Sequence, residues 1–133
     1  MIKNKRGKIL LLRRNKAGGW FTLPGGTVHE GEAVNQALKR EIFEETGLRI
    51  KIGRPLWIWQ SDHIGQKLVG IVFETKEIFP NNIKIKLSPE HNKYSWYSTE
   101  KLFRDEAVDP YIKREALNLL SGYSTAFWMK LQG

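Results

Sequence analysis

The sequence contains no cysteine, which excludes disulfide bonds and thiolate-bound metals as sources of stability or reactivity. It also lacks an apolar run of the roughly 18 residues that a membrane-spanning helix needs. The first residues show no apolar stretch typical of a signal peptide. We therefore expect a cytoplasmic protein with no membrane partner. The length of 133 residues suits one hydrophobic core, so we expect residues 1–133 to form a single domain.

The chain is basic overall, yet its acidic residues are concentrated in one segment. Lys and Arg number 22 and Asp and Glu 14, which gives a formal net charge of +8 and favours anionic partners such as phosphates, nucleotides or nucleic acids. Five of the 14 acidic residues lie between positions 30 and 45. This charge distribution is expected of a metal-dependent enzyme that acts on phosphate esters, although individual lysines serve solubility equally well.

A helix of about four turns is predicted to begin near Glu32 or Ala33 and to end at Gly47. Three of its residues are glutamates spaced three and four apart, which places them on one side of the helix: Glu41, Glu44 and Glu45. The apolar residues on the same arc are Val34, Leu38 and Ile42. Carboxylates beside a core repel one another and are costly to bury, and a hard divalent cation such as Mg²⁺ would compensate for both effects.

The segment before the helix, Leu23–Gly26, predicts a tight turn in which the backbone approaches a ligand closely. From Gly26 the chain continues with five residues, Glu32, seven residues and then the run Arg40-Glu41-Ile42-Phe43-Glu44-Glu45-Thr46-Gly47-Leu48. This pattern resembles the Nudix box at every defined position. The alternative is an amphipathic helix whose acidic residues are only solvated. Such a helix would not require every residue of the motif at its fixed spacing, so the resemblance is favoured.

The resemblance implies an α/β fold, a Nudix-type α/β/α sandwich with a mixed sheet. Nudix domains usually have a strand before the apolar strand that we predict at Ile9–Leu12. Here little but Ile2 precedes the turn at 4–7, so we expect a shortened or missing first strand. The resemblance also implies Mg²⁺-dependent hydrolysis of a pyrophosphate bond, with Mn²⁺ as an alternative metal. The substrate would be a nucleoside diphosphate linked to another moiety, either a nucleoside triphosphate or a nucleotide sugar such as ADP-ribose.

The resemblance also assigns roles to individual residues. The metal would be held by the carbonyl of Gly25 and by the three helix carboxylates, Glu41, Glu44 and Glu45. Glu90, six residues ahead of Trp96, matches the loop glutamate that often adds a carboxylate to the metal site in Nudix proteins. Either Glu41 or Glu90 would activate the attacking water, and the spacing does not decide between them.

Two further residues of the box have supporting roles in this interpretation. Arg40 is expected to hold a carboxylate by an ion pair without touching the substrate. Glu32 is expected to tie the loop to the helix.

Candidates for substrate binding are basic or aromatic. Arg13 and Arg14 end the predicted strand on opposite faces, so one is available to clamp a phosphate, and Arg14 is favoured. Trp20 is either a core residue, which burial preference favours, or a stacking partner for a base. Trp57 and Trp59 share one face of a strand and form either a core stripe or a wall against a nucleobase, with no preference between the two.

The other elements are predicted from the alternation of apolar and polar residues and from the turn-forming residues between them. Strands are predicted at 49–61, broken by Gly53 and Pro55, at 67–79 and at 94–97, with loops at 61–66 and 88–91. The segment 80–87 alternates lysines with apolar residues, as at a charged sheet edge. A helix is predicted from Pro110 to about Ser121, with Asp109 as its N-cap.

Three features leave alternatives open. The three histidines, His29, His63 and His91, have no zinc-binding spacing and are predicted to lie at the surface, with His91 near the chemistry because it adjoins Glu90. The apolar segment Phe127–Met129 docks either on the core or on a second subunit of a homodimer. The basic charge favours a second hypothesis, a nucleic-acid-binding or regulatory module on the same fold, although the complete carboxylate set argues against it.

Overall fold

The computed structural model describes residues 1–63 and 65–120. The described elements, in chain order, are β1 (Lys3–Asn4), β2 (Ile9–Arg14), β3 (Phe21–Thr22), α1 (Val34–Thr46), β4 (Ile52–His63), β5 (Gln66–Thr75), β6 (Ile78–Phe79), β7 (His91–Tyr97), α2 (Thr99–Arg104) and α3 (Pro110–Leu120). The predicted end of the last helix near Ser121 and the apolar segment Phe127–Met129 lie outside the described residues. Within the described chain, no helix combines the length and the apolar content needed to cross a membrane.

The main sheet contains five strands and is mixed, as predicted. β2 pairs antiparallel with β1, β3 and β7, whereas β1 pairs in parallel with β6. The predicted shortening of the first strand is confirmed, because β1 has only two residues. In β1, Lys3 lies opposite Ile9 of β2 on one side and Ile78 of β6 on the other. A second sheet consists of the antiparallel hairpin β4–β5.

Helices cover both faces of the main sheet, and β2 contributes to both cores. Because strand side chains alternate, Leu10 and Leu12 pack in the cluster that contains Ile42 of α1, while Leu11 packs in the opposite cluster with Leu102 of α2. All three β2 leucines have zero exposure. The predicted α/β/α sandwich is therefore confirmed.

The ends of α1 agree with the prediction. Ala33 precedes the helix in an extended conformation, and Gly47 ends it in the left-handed region at φ 73°, where its N–H donates to the carbonyl of Phe43 at 2.8 Å. The prediction that Val34 belongs to the buried stripe is wrong, because it is 45% exposed. Ala37 is buried in the same helix instead. Val34 occupies the first helical position, where the chain still emerges from a surface loop.

The hairpin differs from the prediction at its turn. The segment 61–66 is not a loop, because β4 continues to His63 and pairs with Gln66 at the start of β5. The predicted interruptions of β4 are present, since the pairing register shifts on both sides of Pro55. Proline lacks the N–H that a regular ladder requires, which accounts for the irregularity.

The predicted strand 67–79 is divided into two strands in different sheets. At the break, the Lys76 N–H donates to the carbonyl of Lys51 at 2.9 Å, and the Lys51 N–H donates to Oε1 of Glu77 at 2.7 Å. These bonds turn the chain away from the hairpin, so that Ile78 pairs with β1. The segment 80–87 is not a sheet strand; its apolar side chains pack on the α1-side core and its lysines are exposed.

Candidate active site

The glycine turn and α1 meet at two close contacts. The N–H of Gly25, which has φ 153°, donates to Oε2 of Glu45 at 2.9 Å. A Cβ at Gly26 would lie 2.3–2.6 Å from the carboxylate atoms of Glu41. The turn backbone therefore lies directly against these two carboxylates, which is the close approach that the Leu-Pro-Gly-Gly turn predicts.

Arg40 connects the loop to the helix through several acceptors. Its Nε and Nη2 bind the two carboxylate oxygens of Glu32 at 2.8 and 2.9 Å, and its Nη1 lies 2.9 Å from Oε1 of Glu41. Nη2 also donates to the carbonyl of Thr27 at 3.1 Å. Glu32 additionally accepts the N–H of His29 at 3.1 Å. The predicted ion pair of Arg40 with a carboxylate is thus present, and Glu32 contacts both the helix and the loop before it, as predicted.

This pairing shifts the pKa of both partners. Hydrogen bonds from the Arg40 guanidinium, followed by the hydrogen bond from the His29 N–H, lower the pKa of Glu32 to about 2. The same contacts raise the pKa of Arg40 above its ordinary value. Both groups therefore remain charged at neutral pH, and the loop is fixed to the helix by a charge-assisted fork.

Glu45 is the buried carboxylate of the site, with 4% of its surface exposed. Burial, helped by the nearby charges of Glu41 and Glu90, raises the pKa of Glu45 to about 7, although the Gly25 hydrogen bond acts in the opposite direction. A buried carboxyl with a raised pKa and carboxylate neighbours can accept a divalent cation in place of its proton. This chemistry fits a metal ion at the position.

The pairing of β2 with β7 brings the distant loop to α1. Arg14 lies opposite His91 in the ladder, and the N–H of Asn15 donates to the carbonyl of Glu90 at 2.8 Å. One ligand atom from each of Glu45, Glu90 and His91 lies within 4.8 Å of the other two. Glu90 therefore lies close to Glu45 of α1, and its role as a metal ligand stays a prediction.

A cavity of about 500 Å³ contains these groups. Its lining carries both signs of charge: two acids come from α1, one comes from the loop before β7, and the basic residues come from the end of β2 and the loop after it. The charged lining residues are Arg14, Lys16, Glu41, Glu45 and Glu90. The volume lies in the range of small-molecule sites, and the juxtaposition of carboxylates and cations suits a metal–phosphate ligand.

Some predicted site residues lie apart from this cavity. Glu44 does not line it; its side chain is 54% exposed and lies 3.3 Å from Nη1 of Arg40. Arg13 donates from Nε to the carbonyl of Gly19 at 3.3 Å, so Arg14 is the arginine of the pair that reaches the cavity, as favoured. The prediction that Trp20 belongs to the core is wrong, because it is 41% exposed.

The two hairpin tryptophans also lie away from the cavity lining. Trp59 contacts the ring of Tyr111 in α3, with centroids 5.3 Å apart in an edge-on arrangement. It also covers Gly70, where a Cβ would come within 2.0 Å of the indole. Trp57 is half-buried. For Trp59 these contacts favour the packing alternative over a stacking wall.

Several cavity residues are not anticipated by the sequence patterns. Lys16 lies two positions after Arg14, so the run of basic residues at the end of β2 is the signal that would have identified it. Asn15 and Thr27 also line the cavity, and no pattern in the sequence singles them out. His29 lines it from the loop before α1, where the sequence indicates only a surface residue.

Comparison with known proteins agrees with this geometry. A family model described as the NUDIX domain matches residues 1–118. The crystal structure of the MutT protein from Methanosarcina mazei superposes with a TM-score of 0.79 at 32% identity, covering 90% of this chain and 87% of that one.

Two curated relatives extend the comparison. An RNA pyrophosphohydrolase of Baumannia cicadellinicola is 34% identical over 119 residues, covering 74% of this chain and 72% of that protein. An ADP-ribose pyrophosphatase of Methanocaldococcus jannaschii is 48% identical over 62 residues, or 45% of this chain, and the match spans 37% of that protein's length. The domain match, the shared fold and the complete box together show that the chain belongs to the Nudix hydrolase family.

Proposed function

We propose that this protein hydrolyses a pyrophosphate bond in a nucleoside diphosphate linked to another moiety, with Mg²⁺ as cofactor, and that residues 1–133 act as a single domain. The observation that carries the proposal is the convergence of Glu41, Glu45 and Glu90 in one cavity whose lining also includes Arg14 and Lys16. Carboxylate oxygens suit a hard cation, and cationic side chains suit phosphate.

The carboxylates and the glycine turn form the proposed metal shell. Glu41, Glu45 and Glu90 would hold the cation, with the Gly25 carbonyl as an additional ligand. Glu44 lies outside the cavity lining, and its exposed side chain would have to turn toward the cavity to enter the same shell. When bound, the cation would polarise the phosphoryl oxygens and offset the charge that develops on them.

The protein groups perform the remaining tasks. Arg14, with Lys16 beside it, would bind the phosphates and orient the scissile bond for in-line attack. Arg40 would hold Glu41 in place through its 2.9 Å contact. Either Glu41 or Glu90 would orient the water and accept its proton; Glu41 is fixed by Arg40, and Glu90 is exposed to solvent in the loop before β7.

The comparisons support two substrate classes. The Methanocaldococcus relative is named for ADP-ribose and the Baumannia relative for RNA. Both names describe a diphosphate or longer phosphate chain attached to a nucleoside, which is the unit that the charged cavity suits. Among free nucleotides, we propose nucleoside triphosphates and ADP-ribose-type nucleotide sugars as the first candidates.

A panel of such compounds tests the proposal. Phosphate or nucleoside monophosphate release should depend on added Mg²⁺, cease with a chelator and fall sharply in Glu45→Gln. If no member of the panel is hydrolysed by wild type at any Mg²⁺ concentration, the proposal is wrong.

The alternative of a nucleic-acid-binding module is supported by the net charge of +8. It predicts retardation of RNA or DNA that weakens steeply with salt and is unchanged in Glu45→Gln, without hydrolysis.

A further inference from the structure

The cluster at the end of the cavity contains an imidazole. His91 begins β7 and stands directly after Glu90, and one of its ligand atoms lies within 4.8 Å of ligand atoms of both Glu45 and Glu90. Its backbone position is fixed by the ladder, in which it lies opposite Arg14, and by the bond from its N–H to the carbonyl of Ser88 at 3.1 Å. The sheet therefore fixes the backbone from which the ring projects.

The hydrogen bonding of this ring is incomplete. Nδ1 of His91 is buried, and it has no hydrogen-bond partner in the part of the chain that the structure describes. Buried polar atoms without partners are rare in folded proteins, and coordination of an ion would satisfy such an atom. The other histidine in the cavity lining, His29, is 66% exposed at its side chain and does not belong to the cluster with Glu45 and Glu90.

The donor set of the cluster is mixed. Carboxylate oxygens suit Mg²⁺, Ca²⁺ and Mn²⁺, whereas a neutral imidazole nitrogen suits first-row transition metals. Mg²⁺ also requires near-ideal octahedral oxygen coordination and releases its water reluctantly, so it gains little from a nitrogen donor. A site with two carboxylates and one imidazole should therefore discriminate between these two groups of metals.

We infer that His91 is a ligand of the metal site, and that the site binds a first-row transition dication, such as Mn²⁺, more tightly than Mg²⁺. The inference rests on the proposed function, because it concerns the same cation. It goes further by adding a nitrogen donor to the carboxylate shell. Mg²⁺ would then support the reaction through the carboxylate oxygens and gain little from the imidazole of His91.

Mn²⁺ is the probe for the test because it is paramagnetic and accepts both oxygen and nitrogen ligands. Pulsed electron paramagnetic resonance of the wild-type protein with one equivalent of Mn²⁺ should show the coupling of a directly bound imidazole nitrogen. The coupling should disappear in His91→Asn and persist in the matched control His29→Asn. Calorimetric titration of each protein with Mn²⁺ and with Mg²⁺ supplies the affinities.

The expected change is selective. His91→Asn should weaken Mn²⁺ binding by at least about 10-fold. This is the smallest loss usually seen when a group that only hydrogen-bonds to a metal ligand is removed, and a direct ligand should matter at least as much. Mg²⁺ binding should change by less than about 3-fold, and His29→Asn should change neither. Absence of nitrogen coupling in the wild type, or equal weakening of both metals in His91→Asn, would overturn the inference.

The wild-type spectrum keeps the test valid even if His91→Asn folds poorly. It also separates the two proposals. Mg²⁺-dependent hydrolysis together with Mn²⁺ binding that shows no nitrogen coupling refutes the role of His91 and leaves the proposed function intact. Nitrogen coupling without hydrolysis of any nucleotide refutes the proposed function and leaves the His91 site intact.

Discussion

The N–H of Gly25 donates a 2.9 Å hydrogen bond to the carboxylate of Glu45, so the glycine turn is attached to the box helix at the most buried acid of the cavity. This bond orients one oxygen of Glu45 toward the turn. We expect the other oxygen to be the one that binds the cation. The arrangement makes Glu45 the residue whose substitution should affect metal binding most directly.

Glu45→Gln and Glu44→Gln should each remove most Mg²⁺-dependent turnover while preserving the fold, because the amide is nearly isosteric but uncharged. Steady-state kinetics and a thermal melt on each variant provide the measurement. Glu30→Gln is the matched control, since Glu30 is an exposed glutamate of the same loop outside the cavity lining. Activity near wild type in both variants at saturating Mg²⁺ would contradict the assignment of the metal site.

Metal binding should be coupled to proton release from Glu45. Its pKa is raised to about 7, mainly by burial, so the metal-free protein holds a proton there at pH 6. Binding of a divalent cation must displace that proton, and affinity should therefore rise with pH up to about 7 and then level off. Calorimetry at pH 6 in buffers of different ionisation enthalpy measures the protons released. An equal release from Glu45→Gln would show that another group is responsible.

Glu90→Gln tests whether the loop glutamate activates water. We expect kcat to fall by about 10²–10⁴-fold, the scale for losing a positioned acid–base group, with KM for the nucleotide nearly unchanged. The melting temperature should hardly move, because Glu90 is exposed. Glu106→Gln, at an exposed position outside the cavity lining, serves as the control. A wild-type kcat in Glu90→Gln would identify Glu41 as the leading candidate.

Gly26→Ala should impair activity more than stability. The added Cβ would lie within 2.3–2.6 Å of the Glu41 carboxylate, which is the flexible end of a side chain and can move aside at little cost. Moving it breaks the 2.9 Å contact with Arg40 and misplaces a proposed metal ligand. We expect weaker metal binding by calorimetry with a melting temperature close to wild type. Unchanged metal affinity would show that this approach has no functional importance.

The stability of the α2 side of the sheet should depend on pH through Asp105. Tyr97 is buried, and its hydroxyl donates to Oδ2 of Asp105 at 2.6 Å, which is the largest cause of the lowered pKa of that carboxyl. A lowered pKa contributes stability above the unfolded value of about 4, and this contribution is lost as pH falls through the folded pKa. Tyr97→Phe should therefore lower the melting temperature more at pH 7 than at pH 2.5. An equal difference at both pH values would refute the linkage.

The features predicted correctly from the sequence are those with local causes. Gly47 ends α1 and Asp109 caps α3 because a glycine stop and an N-cap act within one helical turn; Asp109 accepts the Tyr111 N–H at 2.9 Å. One of the errors concerns long-range pairing. The chain changes sheets after Thr75 because the backbone of Lys51 forms hydrogen bonds with Lys76 and Glu77. Lys51 is distant in sequence from both, so no local pattern predicts these bonds.

The site also combines features with local causes, which the sequence predicts, and features that depend on long-range pairing, which it does not. The spacing of the box places its glutamates on one helix, so the helical part of the site follows from the sequence. The proximity of His91 to Glu45 depends instead on the register between β2 and β7, which joins residues far apart in the chain. Alternation within one strand does not reveal that register, so the sequence places His91 near the chemistry only through its neighbour Glu90.

β2 links the register of the sheet to the position of the proposed phosphate ligand. Its three buried leucines supply both cores in alternation, and its last residue, Arg14, lines the cavity. A slip of one residue that put Arg13 where Leu12 now lies would bring a guanidinium into the α1-side core. The opposite slip would leave apolar residues at all three leucine positions, because Ile9 precedes them. Either slip would move Arg14 away from the cavity, so the leucines alone do not fix the place of that arginine, and Arg13 opposes the slip in one direction only.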